Sequence, residues 1–222
     1  MKRVVAALVG TVLLSLCSCM SMLPVASKPE PGQPVGEDVI VVAGRVIMEP
    51  ELQQEFKGPM VGVKEEFEKK SLIFLSKKPN KPVGSVFSAD HIISQPWDEY
   101  FLAVLPRESL YWSTVYIMLS KAGTWETSLY LHSSFEISYS PDDRFIYLGD
   151  FVYHVQRSDK SNELMAGMEI RNGFEAARTQ LEGDVVGPDG QPLALQNRIP
   201  AEVGELKAVI EQLRTHTAPP GF

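Results

Sequence analysis

The chain has 222 residues, with 21 Lys and Arg against 28 Asp and Glu, and a formal net charge of −7. A surface of that sign repels phosphate backbones, which disfavours a nucleic-acid role. The only cysteines, Cys17 and Cys19, both sit at the end of an N-terminal apolar run, so no disulfide framework holds the remainder and its core must do so.

Lys2 and Arg3 precede a thirteen-residue apolar stretch, Val4 to Leu16. As a helix that stretch covers about 20 Å, short of the roughly 30 Å of a bilayer's hydrocarbon core. Ser18, Ser21, Pro24 and Ser27 interrupt any continuation, so a cleaved signal accounts for the segment better than a spanning helix does. The run closes on Leu16-Cys17-Ser18-Cys19. This resembles the lipobox of bacterial envelope lipoproteins, with an aliphatic residue three before the lipidated cysteine and a small residue directly before it. Leu16 and Ser18 fit Cys19, whereas Cys17 would place bulky Leu16 beside the cut. The resemblance covers residues 1–20. It implies a diacylglycerol on the Cys19 thiol, a fatty acid such as palmitate on the new amino terminus, and stable anchoring by two or more chains. Met20 rather than Asp follows the cysteine, which in that family implies the outer membrane if the envelope is Gram-negative. Loss of residues 1–18 removes Lys2 and Arg3 and takes the formal charge from −7 to −9.

Residues 19–37 hold Pro24, Pro29, Pro31 and Pro34 with Gly32 and Gly36 and show no apolar period, so they read as a tether. Semi-extended Pro-rich chain of that length reaches about 50 Å. The alternative for this stretch is an ordered edge strand within the domain.

Residues 38–215 form the expected globular domain. Short runs rich in β-branched and aromatic residues, separated by Pro, Gly, Asn and Asp, predict strands and turns. Val39 to Met48 is the first strand, with Gly44 at a bulge. Ser71 to Ser76 ends at the turn Lys77-Lys78-Pro79-Asn80, and Tyr100 to Leu105 stops at Pro106. Tyr111 to Ser120, apolar on both faces, is predicted to be central. Trp125 to Tyr139 supplies one or two strands, and Ser140-Pro141-Asp142-Asp143 is the clearest turn. In Arg144 to Val155 the alternation puts Phe145, Tyr147, Phe151, Tyr153 and Val155 on one face and Ile146, Leu148, Asp150, Val152 and His154 on the other. Gly149 in the middle signals a bulge, a bend or a close approach that lets an aromatic lie across the gap. Glu163 to Arg171 reads as one more strand.

Two helices are predicted to follow. Asn172 caps the first, with Glu175 at its third position, Phe174, Ala177 and Leu181 on one face, and Gly183 as terminator. After the turn Gly187-Pro188-Asp189-Gly190, residues Pro200 to Arg214 carry Val203, Leu206, Ile210 and Leu213 at helical spacing. Residues 216–222 read as a flexible tail. The expected fold is therefore mainly β: an antiparallel β-sandwich or strongly curved sheet with two short C-terminal helices. The strand from Tyr147 through Gly149 to Tyr153, followed by a capped helix, is loosely similar to segments of small envelope lipoproteins of unknown function. That similarity implies no activity.

The domain has no motif for chemistry. His91, His132, His154 and His216 lack the close spacings of zinc sites, so no metal and no cofactor is expected. Ser133 neighbours His132 but points to the opposite strand face; Ser134 shares that face, yet no orienting carboxylate is identifiable. The pairs Glu65-Glu66, Asp98-Glu99 and Asp142-Asp143 read as solvated carboxylates, and no catalytic residue is predicted. Eight of the twenty aromatics fall between Trp97 and Tyr130, explicable as core packing or as a stacking platform. Trp97 and Trp125, each flanking a turn, are the candidates for an exposed binding surface. The leading expectation is a non-enzymatic, lipid-anchored protein with a protein partner in the envelope. A carrier of a small molecule or glycan in a cavity between sheets comes second, and a hydrolase third.

Overall fold

A computed structural model describes residues 24–49, 70–81, 83, 85–121, 125–157, 164–201 and 207–213. The signal segment 1–18, Cys19 and the tail 216–222 lie outside them. The described strands are β1 (Val39–Glu49), β2 (Lys70–Ser76), β3 (His91–Pro96), β4 (Tyr100–Pro106), β5 (Tyr111–Lys121), β6 (Trp125–Glu136), β7 (Phe145–Arg157), β8 (Leu164–Arg171), β9 (Gln196–Asn197) and β10 (Lys207–Leu213). One helix, α1 (Phe174–Leu181), lies between β8 and β9.

The strands form two five-stranded sheets. The first has the order β4-β1-β7-β8, with β9 also on β7; the second runs β10-β6-β5-β2-β3, placing β5 at its centre as its two-faced apolar pattern predicts. In the first sheet β1 and β7 pair in parallel across about a hundred residues, from Val41 beside Phe145 to Glu49 beside His154. Both sheets contribute to one apolar core, which includes Val42 and Val46 of β1, Leu75 of β2, Val115 of β5, Leu131 of β6 and Phe151 of β7. At its centre Trp112 stacks on Phe151 with ring centroids 4.2 Å apart and on Phe135 at 5.3 Å.

A second apolar layer covers the opposite face of the first sheet. Val41, Ala43, Phe145 and Tyr147 point into it and meet Ala177 and Leu181 of α1 with Val185 and Leu195 of the following loop. The helix begins close to its predicted start: Gly173 occupies the N-cap position, while Asn172 Oδ1 accepts the Phe174 N–H at 3.1 Å. Gly183, at φ 95°, ends it as expected.

Several expectations need correction. The single inward face assigned to β7 changes sides partway along. Ile146 and Leu148 face the inter-sheet core before Gly149, and Phe151, Tyr153 and Val155 face it afterwards. The cause is a bulge: Ala43 pairs with Tyr147 but Arg45 with Asp150, so β7 carries one extra residue, and a one-residue slip exchanges the faces. Gly149 sits there at φ 119°, and a Cβ on it would come within 2.4 Å of Ile170 Cγ2. The aromatic that crosses a glycine belongs instead to Phe101, over Gly44 on the neighbouring strand.

The predicted helix Pro200 to Arg214 is a strand where it is described: β10 pairs antiparallel with β6, Lys207 opposite His132 through Leu213 opposite Glu126. The backbone groups along the β6 edge, together with β-branched Val209 and Ile210, outweigh helical periodicity. The tether also shortens. Pro24 O accepts the Ile92 N–H at 2.8 Å, Ala26 N–H donates to Ile92 O, Ser27 O accepts from Val104, and Val35 N–H donates to Val186 O. From Pro24 onward the segment is thus bonded to both sheets, which is the ordered alternative to a free tether. Finally, β3 was not expected, because His91–Pro96 is short and ends on proline.

Candidate functional site

The β7 bulge builds a buried polar constellation. By adding a residue between Tyr147 and Asp150 it brings both side chains to the face under α1, and Tyr147 OH donates to Asp150 Oδ1 at 2.7 Å. Arg45, paired opposite Asp150 on β1, forms an ion pair with the other carboxylate oxygen. Its guanidinium lies over the Tyr100 ring, 4.8 Å from the centroid. Asp150 is buried, and Gly173 at the start of α1 fits against it so closely that a Cβ there would meet Asp150 Oδ2 at 2.5 Å. Burial, then the hydrogen bond and charge of Asp150, push the Tyr147 phenol far above its ordinary value. Burial lowers the proton affinity of Arg45, but Asp150 outweighs it and keeps the guanidinium charged. The group is thus a neutral phenol and a paired cation around one carboxylate, locking β1, β7 and the helix start together.

A second constellation closes the predicted turn at Ser140. Asp143 accepts two hydrogen bonds from Arg198, at 2.7 and 2.9 Å, and one from the Ser140 N–H at 2.6 Å. Arg107 donates to the carbonyls of Asp143 and Pro141, each at 2.6 Å. Burial raises the Asp143 carboxyl, but Arg198, the Ser140 N–H and the nearby Arg107 charge overcome that and hold it below its usual range. Beside this clamp lies a cleft of about 460 Å³ bordered by Glu136, Ser138, Arg198, Ile199, Pro200 and Ala201.

The residues singled out from sequence are distributed differently. Trp97 is buried, with 5% of its surface exposed, so it is corrected from surface to core. The turn it flanks is the corner where β3 of one sheet passes into β4 of the other. Asp98 takes φ 63° there and its N–H donates to Val46 O, folding the indole between the layers. Trp125 begins β6, and its side chain is outside the described residues, as is Cys19. His132 and Ser134 do not act together: His132 Nδ1 shares a hydrogen bond with Thr114 Oγ1 at 2.8 Å, and Ser134 Oγ accepts the Asn80 N–H. Burial lowers the His132 proton affinity. His91 lies 3.3 Å from Glu108, which also binds Lys77 at 2.8 Å, and His154 lies 3.5 Å from Glu169 on the β7–β8 pair.

Sequence reasoning missed the Arg45–Asp150–Tyr147 group. Its available signal was an aspartate in an apolar strand one residue after a glycine. The described residues contain no group of three metal-ligating side chains, and no described helix is long and apolar enough to cross a membrane. No family model matches the chain, and no curated protein or solved structure matches it.

Proposed function

We propose that the chain is a lipid-anchored envelope protein whose β-sandwich is a non-enzymatic interaction domain for another envelope component. The observation that carries the reading is the sequence Leu16-Cys17-Ser18-Cys19 behind a short apolar run and two basic residues. The polar groups support it, because Asp150 is committed to Arg45 and Tyr147, and Asp143 to Arg198 and the Ser140 N–H, in the manner of fold-holding rather than reacting groups. Mass spectrometry of the N-terminal peptide tests the anchor: Cys19 should be acylated, and Cys19→Ala should accumulate unprocessed. A bare peptide, or one still joined to residues 1–18, refutes it. Crosslinking in intact cells identifies the partner.

A carrier function is the second reading. The space between the sheets is filled by the Trp112, Phe135 and Phe151 rings, so a small molecule or glycan would be taken by the cleft beside Arg198 instead. Loss of ligand retention in Arg198→Ala, with the fold intact, is the result that would favour it.

A further inference from the structure

The point where the chain joins the domain constrains how an anchored protein sits on its membrane. The segment from Pro24 runs parallel to β3, with Val25 bridged to Ile92. The start of β3 lies at the end of the second sheet where the 77–90 connection arrives from β2, since Leu75 pairs with His91 and the Lys77 N–H donates to Asp90 Oδ2. Pro24, the first described residue, therefore lies at that end. Four residues lie between Cys19 and Pro24, and the five Cα steps fully extended span about 17 Å.

Two large hydrophobic side chains are exposed among the described residues, Val25 at that end and Phe87 on the connection that arrives there. Val25 is 52% exposed, and Phe87, in a single 3-10 turn at Val86–Ser88, is 88% exposed. Phe87 is five residues from Ile92, so its backbone lies within about 22 Å of Val25, allowing for one strand spacing. Exposed Lys78 and Lys81 stand on the same connection, and their charge suits lipid phosphates. Lys77 is engaged with Glu108, and Asp90 and Glu136 stand close by, so apolar contact rather than net charge must supply the attraction.

We propose that the end of the domain bearing Val25 and Phe87 rests on the bilayer, with the Phe87 ring in the headgroup region beside the anchored Cys19. This rests on the lipid-anchor reading. The anchor keeps that end within about 17 Å of the acylated cysteine. The phenyl ring then leaves water at no further cost in translational freedom, because the acyl chains have already localised the domain.

The test uses full-length processed protein in phosphatidylethanolamine–phosphatidylglycerol vesicles. With Cys19 acylated, Ser88→Cys supplies a single thiol next to an intact Phe87 for an environment-sensitive dye. Asp189→Cys, on the loop over the opposite sheet, is the control. The Ser88 dye should emit to the blue of the Asp189 dye and be quenched at least about twofold more by nitroxide lipids, and adding Phe87→Asp should return it to the aqueous signal. Protein that floats with vesicles but shows the same aqueous signal at both positions overturns the docking and leaves the anchor standing. Protein that fails to float overturns both. A blue shift that depends on a captured protein and is lost in pure lipid assigns Phe87 to a protein partner, and likewise overturns the bilayer contact.

Discussion

The two sheets bury their strands differently. In β1, Ile40 to Ala43 are all buried, Ile40 and Val42 toward the facing sheet and Val41 and Ala43 toward α1 and its loop. In β6 only alternate residues are buried: Leu129, Leu131 and Phe135 face the core, while Tyr130, His132 and Ser134 are half-covered on the outer face. The first sheet is therefore the middle layer of three and takes a continuous apolar run. The second has a smaller apolar cover on its far face, where Phe74, Val83 and Ile92 are buried, and along β6 that face tolerates a hydroxyl and a histidine. On the face roofed by the helix, the buried Asp150 side chain is accordingly partnered by both Arg45 and Tyr147.

Substitutions at the bulge should separate the layers most sharply. Gly149→Ala forces a Cβ against Ile170 at a backbone angle that side chains rarely adopt, and should cost about 3 kcal/mol in urea unfolding. Gly167→Ala on β8, with ordinary contact at 3.9 Å, should cost under about 1 kcal/mol and is the control. Equal losses would remove the bulge as the device that turns β7 over. Next in size, Asp150→Ala leaves Arg45 and Tyr147 unpartnered beneath α1 and should cost about 2–3 kcal/mol, the Arg45 side chain being 28% exposed and so partly hydrated. An unchanged unfolding midpoint would show that the group contributes nothing net. Val41→Thr places a hydroxyl under the helix and should cost about 1–2 kcal/mol.

The outer sheet should instead reveal itself through pH. Because burial lowers the His132 pKa from its ordinary 6.5, the unfolded chain takes the proton first as pH falls. Its contribution to stability is complete above that value and is lost as pH drops through the lowered folded value. The fall in denaturation midpoint between about pH 7.5 and about pH 5 should thus be smaller in His132→Gln than in the parent. Asp143 contributes in a separate window: its carboxyl is held below the usual 3.8, so its share persists until more acid conditions. The smallest effect is expected at Phe87, where Phe87→Ser should change stability by less than about 0.5 kcal/mol while removing the vesicle signal described above.

Much of the local structure was legible. The long strand at Tyr111, the turns at Ser140 and Gly187, and the helix around Ala177 follow from apolar spacing and turn chemistry acting within a few residues. What failed depended on distant partners. The stretch Pro200 to Arg214 has a helical pattern, but its fate at Lys207–Leu213 was set by the edge of β6, some eighty residues earlier. Trp97 looks exposed beside its turn until that turn proves to join two sheets. The candidate site was less legible still, because Arg45 meets Asp150 through a parallel pairing and Tyr100 through an antiparallel one, and neither leaves a periodic trace in the sequence.

By itself the sequence determined a mainly β domain, its turns and its first helix, since each depends on side chains close together along the chain. Tertiary structure alone decided which face of β7 is inward, that Pro24 is already bonded to the domain, and that Asp150 has a cation to neutralise it. Those outcomes depend on strand register and sheet order, and a single extra residue at Gly149 is enough to exchange the two faces of a strand.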